Sequence, residues 1–292
     1  MKIVLLGKNG QLGWEFRRIL PILGEVTSLD REELDLCDHA AIEQRLGELK
    51  PDLIVNASAY TDVDAAEKET ELAMQINALA PGVIAETARN LRAAFIHYST
   101  DYVFDGGKNA CYIESDATHP LNMYGKSKLA GEEHIQQAGG AYLILRTSWV
   151  YSLRGNSFVN KVLKWSRQIK TLKVVSDQIS GPTWARTLAE ITGFVLAQNK
   201  KELYESISEK NGVYHLAGNG FTSRYEWARQ ILANDPNPSE QIAHTIEPAL
   251  SGDFPSPAVR PLFSALDCSL FERTFGLKLP DWEDTLQLAM AR

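Results

Sequence analysis

The chain has 292 residues, of which 44% are hydrophobic and 23% are charged, and its formal net charge is -7. This balance is ordinary for a globular protein with a large core, and the negative charge argues against a nucleic-acid backbone or an anionic membrane as the main partner. The three cysteines are scattered without CxxC spacing, which indicates neither a disulfide framework nor a zinc site. Because neither a signal peptide nor a membrane span of about 20 apolar residues is recognisable, the expected location is the cytoplasm.

The first predicted unit is a short strand, a glycine-rich turn and an amphipathic helix. Ile3 to Leu6 is apolar and is followed at once by a turn with glycines at positions 7, 10 and 13. Gly7 permits a tight turn, Gly10 lets the backbone approach a diphosphate, and Gly13 lets the helix pack on the strand. The GxxGxxG spacing differs by one residue from the commonest dinucleotide fingerprint. Its place at the start of a βαβ unit indicates a dinucleotide-binding turn, with a plain tight turn as the alternative.

The second predicted strand, Val26 to Asp30, ends in an acid. A carboxylate roughly 20 residues after the glycines accepts hydrogen bonds from the adenosine ribose and favours NAD. Arg31 and Lys8 offer partners for a 2′-phosphate instead, so the sequence leaves the choice between NADH and NADPH open. Asp38 is expected to cap the helix that runs towards Leu49.

Two further buried strands follow, each ending in small or hydroxyl-bearing residues. The strand from Asp52 to Ala57 leaves room for a ligand at its carboxyl end, where ligands bind in open parallel sheets. A long helical pattern from about Glu69 to Leu91, interrupted at Pro81, leads to the strand from Ala94 to Tyr98. Thr100 lies just beyond this strand, where its hydroxyl can hydrogen-bond a carbonyl oxygen of a substrate.

A helix is predicted next, and it carries Tyr124 and Lys128 four residues apart. This spacing sets the two side chains on one face, about one turn apart. A phenol is a poor acid–base group at neutral pH unless a nearby positive charge stabilises its phenolate, and the lysine can supply that charge. The pair could therefore move a proton to or from a carbonyl or alcohol oxygen. Taken alone the motif is weak, because this spacing also arises by chance.

The alternation of strands and helices predicts an α/β fold with a Rossmann-type doubly wound parallel sheet. Residues 1–150 are expected to form the NAD(P)-binding domain. Residues 151–292 are expected to form a smaller, interleaved substrate-binding region, with some segments returning to the sheet. Trp227 and Trp282 lie in helical patterns that favour core packing, and the dispersed histidines show no metal-binding spacing, so we expect no catalytic metal.

The assembled motifs resemble the extended short-chain dehydrogenase/reductase superfamily and, more closely, its dTDP-4-dehydrorhamnose reductase family. The resemblance covers nearly the whole chain and depends on GKNGQLG, STDYVFDG, PLNMYGKSKLAGE, LRTSWVY, SDQISGPT and SPAVRP. Two departures are Ile179-Ser180, where an aromatic residue followed by glycine is commoner, and Tyr60, where the family often has histidine. Neither departure removes an acid, a base or a hydride-transfer group.

The resemblance implies roles for individual residues. The catalytic residues are Thr100, Tyr124 and Lys128. The cofactor-binding residues comprise the turn, the ribose and adenine contacts, the nicotinamide side and the catalytic pair: Gly7, Gly10, Gln11, Leu12, Gly13, Asp30, Asp35, Leu36, Ala59, Tyr60, Thr61, Tyr124 and Lys128. The substrate-binding residues are Thr100, Asp101, Trp149 and Arg260. Core packing is the alternative for Trp149, and a surface ion pair is the alternative for Arg260.

The implied reaction is hydride transfer from NADH or NADPH to C4 of dTDP-4-dehydro-β-L-rhamnose, a small-molecule nucleotide sugar, with dTDP-β-L-rhamnose as product. A nucleotide-sugar 4-epimerase with tightly held NAD and a non-catalytic regulatory subunit of the same fold are the alternatives. A dehydratase is disfavoured because Asp101 is followed by Tyr102 rather than by the usual glutamate. Family members can also form homodimers with an interfacial magnesium ion, to which Glu15 and Glu190 could contribute, although solvated helix faces explain these two residues more simply.

Overall fold

The computed structural model describes residues 1–198 and 200–291. The strands are β1 (Lys2–Leu6), β2 (Glu25–Leu29), β3 (Leu53–Asn56), β4 (Ala94–Thr100), β5 (Tyr142–Thr147), β6 (Val150–Tyr151), β7 (Thr171–Val175), β8 (Ile179–Ser180), β9 (Thr183–Trp184), β10 (Gly212–His215), β11 (Thr222–Ser223) and β12 (Thr245–Ala249). The α-helices are α1 (Gln11–Ile19), α2 (His39–Leu49), α3 (Val63–Ala66), α4 (Thr70–Met74), α5 (Ala80–Leu91), α6 (Met123–Ala138), α7 (Phe158–Ser166), α8 (Ala185–Gln198), α9 (Leu203–Glu209), α10 (Arg224–Ala233), α11 (Ser269–Phe275) and α12 (Trp282–Met290).

Six parallel strands form the central sheet in the order β10-β5-β4-β3-β1-β2. The chain runs from β1 outwards to β2 and then returns to the other side of β1 with β3. This reversal creates a crevice at the carboxyl ends of β1 and β3, which is where open parallel sheets bind ligands. The predicted Rossmann-type parallel sheet is confirmed.

The sheet lies between two layers of helices. Both of its faces are therefore buried, and apolar side chains of the strands pack against each layer. One core cluster joins β-strand residues to α1, α8 and α11, and it includes Phe16, Leu188 and Phe271. The other joins the opposite face to α2, α5 and α6, and it includes Ile42 and Ile84. The site-bearing helix α6 is therefore held against a rigid sheet.

The predicted break at Pro81 is wrong in its position. Helices α4 and α5 are joined by a π-helical turn, Gln75–Leu79, and Pro81 lies in the first turn of α5. The helical run continues through this turn, since Leu79 is helical and the Ala80 N–H donates to the Gln75 carbonyl oxygen, and Pro81, which has no N–H to donate, follows without ending the helix. The predicted cap on α2 is confirmed, since the Asp38 side chain accepts a hydrogen bond from the Ala41 N–H.

The second half of the chain builds a smaller layer around aromatic residues. Trp227 and Trp282 are buried in one cluster with Tyr151, which confirms the prediction that both tryptophans pack in the core. The parallel pair of β7 and β12 belongs to this region, whereas β10 joins the central sheet beside β5. The division at residue 150 stays a prediction. In the part of the chain that the structure describes, no helix is both long enough and apolar enough to cross a bilayer.

Candidate active site

The glycine turn after β1 forms a cradle against the end of β3. Gly7 has a φ of +83°, and a Cβ added to it would lie 2.7 Å from Ser58 Oγ. A Cβ on Gly13 would lie 1.9 Å from the Gly7 carbonyl oxygen, so α1 can pack this closely only with glycine there. Gly10 caps α1 without a side-chain hydrogen bond, which leaves the first N–H groups of the helix available for an anion. The turn thus has the shape and the donors that a diphosphate requires.

A cavity of about 360 Å³ adjoins this turn and collects most of the predicted nucleoside contacts. Its walls include Gly7, Asp30, Asp35, Leu36, Ala59, Tyr60 and Thr61. The structure therefore brings the three residues from Ala59 to Thr61, predicted on the nicotinamide side, into the same cavity as the ribose and adenine contacts. The Asp30 carboxylate accepts hydrogen bonds from the N–H groups of Asn9 and Arg31 at 3.0 and 2.8 Å, and Lys8 is paired with Glu33.

Tyr124 lies in the first turn of α6, beside Thr100 at the end of β4. The helix starts at this point because the Asn122 side chain accepts a hydrogen bond from the Gly125 N–H at 2.8 Å. Burial raises the pKa of Tyr124, while a hydrogen bond with the Thr100 hydroxyl opposes that rise. The ring meets Tyr102 edge to face at 5.8 Å. The phenol is therefore protonated at neutral pH, which is the state that an acid requires.

Lys128 lies one turn further along α6 and is 1% exposed. Its Nζ atom donates to the Tyr98 carbonyl oxygen at 2.6 Å and lies 3.0 Å from His97 Nε2. Burial lowers the pKa of Lys128 to about 8, and Glu132 opposes this. The two side chains share a helix face, but Lys128 Nζ is directed towards Tyr98 and His97 rather than hydrogen-bonded to the phenol.

Asp101 is buried below Thr100, within a set of hydroxyl groups. Its carboxylate accepts hydrogen bonds from Ser264 at 2.5 Å, from Ser180 at 3.1 Å and from Thr100 at 3.1 Å. Burial raises the pKa of Asp101 to about 6, and these hydroxyl donors oppose the rise. Ser180 is one of the residues that depart from the family pattern, and it supplies a hydroxyl where glycine is commoner.

Trp149 is in contact with Arg224, which lines a larger cavity. Trp149 has a φ of +39°, a costly conformation for a bulky residue. Its indole stacks on Trp227 with centroids 5.5 Å apart, and the Arg224 guanidinium lies 3.8 Å from the Trp149 centroid and 5.7 Å from the Trp227 centroid. The strained tryptophan is therefore held by a stacked ring and a cation, which supports the core-packing alternative for Trp149. Its role in substrate binding stays a prediction.

The larger cavity, of about 1000 Å³, contains Arg224 and Arg260. Arg260 Nη2 lies 2.7 Å from Asp64 Oδ2, and this pairing lowers the pKa of Asp64. The ion-pair alternative for Arg260 is thus present, and a ligand phosphate would have to compete with Asp64 for the guanidinium. Phe158 and Trp165 add aromatic surface to the same cavity, enough to stack a base.

Sequence reasoning missed three residues of this site, namely Arg224, Ser180 as a hydroxyl donor and His97. Arg224 starts a helix more than 100 residues after Thr100, so no local signal linked the two. Glu15 and Glu190 lie beside Arg18 and Arg186 in helical ion pairs. Within residues 1–198 and 200–291, no group of three or more His, Cys, Asp or Glu side chains is arranged to hold a metal ion.

Comparison with known proteins adds full-length matches. The family described as "RmlD substrate binding domain" matches residues 1–292. A dTDP-4-dehydrorhamnose reductase of Burkholderia thailandensis is 40% identical and covers 99% of this chain and 98% of its own. The crystal structure of a dTDP-4-dehydrorhamnose reductase of Clostridium acetobutylicum superposes with a TM-score of 0.90 at 33% identity, covering 99% and 98% of the two chains. The Bacillus anthracis enzyme of that name, solved in complex with NADP, gives 0.88 at 30% identity, covering 98% and 97%.

Proposed function

The chain belongs to the family of the RmlD substrate binding domain, and we propose that it is an NAD(P)H-dependent dTDP-4-dehydrorhamnose reductase. It reduces the C4 ketone of dTDP-4-dehydro-β-L-rhamnose to the alcohol of dTDP-β-L-rhamnose. The observation that carries the proposal is the buried Tyr124 phenol, protonated at neutral pH, in a chain that also provides a dinucleotide cradle and a large cavity with two arginines.

The cofactor is NADPH or NADH, and the residues around the glycine turn fit it. The N–H groups at the start of α1 bind the diphosphate, and the cavity bounded by Asp30 and Ala59 takes the adenosine. The reduced nicotinamide supplies a hydride when it is bound. Lys128 holds the nicotinamide ribose and, when charged, lowers the pKa of Tyr124.

Proton transfer is the task of Tyr124. As the carbonyl carbon is reduced, negative charge develops on its oxygen, and the phenol donates its proton to that oxygen. The Thr100 hydroxyl, next to the phenol, donates to Asp101 at 3.1 Å and accepts from the Tyr102 N–H. Because it has one proton, it hydrogen-bonds the ketone oxygen, and holds the ketone in line, once that proton turns from Asp101 to the substrate.

The nucleotide half of the substrate occupies the larger cavity. The guanidinium groups of Arg224 and Arg260 line this cavity, where they bind the negatively charged diphosphate. Arginine suits phosphate because its N–H groups bind two oxygens at once. Phe158 and Trp165 offer stacking surfaces for the thymine ring. Trp149 contacts the sugar between the two halves of the site.

The test follows NADH and NADPH oxidation when the purified protein is mixed with dTDP-4-dehydro-L-rhamnose. We expect oxidation with at least one cofactor and a loss of about 100-fold or more in Tyr124→Phe, because the general acid is removed. Tyr225→Phe, a phenol on α10, is the matched control. No oxidation by the folded wild-type protein with either cofactor contradicts the proposal, and NAD retained through purification then favours the 4-epimerase.

The proposal extends to assembly and location. We propose that the protein acts in the cytoplasm, as a homodimer, in the supply of dTDP-L-rhamnose for polysaccharide synthesis. Sedimentation of the purified protein tests the dimer, since a monomer at the concentrations used for activity would contradict it.

A further inference from the structure

Lys128 contacts a buried pair of side chains that the proposed reaction does not use. Asn56, at the end of β3, and His97, in β4, face each other across neighbouring strands and are 1% and 0% exposed. Asn56 Nδ2 lies 3.2 Å from His97 Nδ1, and Lys128 Nζ lies 3.0 Å from His97 Nε2. Each nitrogen of the imidazole therefore meets another nitrogen, and only one proton arrangement satisfies them all.

The orientation of the Asn56 amide fixes the first step. The backbone N–H of Ser58 points at the Oδ1 position of Asn56 from 3.0 Å. Since an N–H group can only donate, the atom that it meets must be the carbonyl oxygen of the amide. The amide nitrogen then faces His97 and donates to Nδ1. That ring nitrogen must therefore carry a lone pair and no proton.

The second step follows from the charge of His97. Burial, the larger cause, lowers the pKa of His97 well below its usual value, and a charged Lys128 would only lower it further. The ring is therefore neutral in either case, and its one proton is on Nε2. That proton points at Lys128 Nζ. An ammonium group has donors only, whereas a neutral amine can accept from Nε2–H and still donate to the Tyr98 carbonyl oxygen at 2.6 Å.

We infer that Asn56 and His97 are positioning residues for Lys128: Asn56 holds His97 in its Nε2–H tautomer, and His97 donates to a Lys128 amine that is uncharged in the cofactor-free protein. To become charged, the amine must leave His97, or His97 must change tautomer against the Asn56 donor. The tautomer stands independently of the reaction, whereas its consequence for catalysis rests on the proposed function. In the proposed reaction, Lys128 gains the charge that lowers the pKa of Tyr124 only after its amine has left His97.

The other charged groups near Lys128 leave its protonation closely balanced. Glu132, one turn along α6, favours the ammonium form, but its carboxylate is already paired with Arg146 of β5 at 2.7 Å and accepts from Ser99 of β4. Tyr124 is a neutral phenol. With the pKa of Lys128 lowered to about 8 by burial, the ammonium form would be favoured about tenfold at pH 7. The hydrogen bond from His97 Nε2–H to the neutral amine is large enough to offset a factor of that size.

The direct test is the tautomer of His97 in the cofactor-free wild-type protein. Histidine labelled with ¹⁵N in the ring reports by NMR which nitrogen carries the proton, and loss of its signals in His97→Asn assigns them. We expect the proton on Nε2 at pH 7. A proton on Nδ1, or an imidazolium ring, would overturn the inference. Because no turnover is needed, failure here is distinguishable from failure of the proposed reaction.

A second measurement tests the coupling to Lys128. Asn56→Leu removes the donor without adding charge, which frees His97 to accept from an ammonium group. We expect the pKa of Lys128 in the cofactor-free protein, followed by ¹³C NMR and assigned with Lys128→Met, to rise by about one unit or more. Thr192→Val is the control, because it removes the hydroxyl contact of Tyr98 on the opposite side of β4. This variant should leave the pKa of Lys128 unchanged. An unchanged pKa in Asn56→Leu would refute the coupling.

Discussion

Asp101→Asn should stabilise the protein at alkaline pH and not at acid pH. The Asp101 carboxyl is 2% exposed, and burial raises its pKa from 3.8 to about 6 in the folded protein. Because the folded pKa of this acid lies above the unfolded one, folding favours the protonated form. Stability from this group therefore falls as the pH rises from about 4 to about 6 and stays low above that range.

The size of the effect follows from the pKa difference. A shift of about two units corresponds to a penalty of about 3 kcal/mol in the free energy of unfolding at pH 8, and about half of that remains at pH 5. The amide avoids this penalty, since its oxygen accepts from Thr100 and its NH₂ group can donate to Ser180 and Ser264, whose hydroxyls can accept as well as donate.

Denaturant unfolding of the wild-type protein and Asp101→Asn at pH 5 and pH 8 measures both quantities. We expect the variant to gain about 1 to 3 kcal/mol at pH 8 and clearly less at pH 5. Glu43→Gln, an exposed carboxylate on α2, controls for the general effect of replacing an acid. Equal gains at the two pH values, or a loss at pH 8, would refute the reasoning.

Three other substitutions, one of them paired with a control, test the framework of the site. Gly131→Ala should lose about 1 to 3 kcal/mol of stability in denaturant unfolding, because its Cβ would lie 2.1 Å from a carbonyl oxygen of the π-helical turn; Gly47→Ala, with nothing within 4 Å, should gain up to about 1 kcal/mol. Glu132→Gln should cost about 3 to 5 kcal/mol by the same assay, since it leaves Arg146 buried without its counter-charge, and a cost under about 1 kcal/mol would contradict this. Arg224→Met should raise the KM for the nucleotide sugar about tenfold or more in steady-state assays, with the KM for the cofactor unchanged; equal changes in both would contradict a role in substrate binding.

Local patterns were sufficient to predict the elements that carry the cofactor turn and the Tyr124 helix. Apolar runs, glycines and caps act over a few residues, so β1, α1 and the Asp38 cap could be identified without tertiary information. The position of the irregular turn before α5 could not, because a π-helical turn has no local sequence marker.

The rest of the site depends on contacts between distant segments. Arg224 reaches Trp149 and Tyr102 only because α10 packs against the aromatic cluster. The contacts of Lys128 with His97 and Tyr98 likewise depend on how α6 lies on the sheet. Sequence spacing placed Lys128 beside Tyr124, but it could not reveal that the amine is directed towards His97 in the absence of cofactor.

The most direct test of the central claim is the fate of the hydride. NADH or NADPH carrying deuterium at C4 of the nicotinamide is incubated with the protein and dTDP-4-dehydro-L-rhamnose, and the sugar product is analysed by NMR and mass spectrometry. The account predicts dTDP-L-rhamnose with one deuterium at C4 of the sugar. Oxidation of the cofactor without deuterium at that carbon, or a product in which only the sugar stereochemistry has changed, would contradict it.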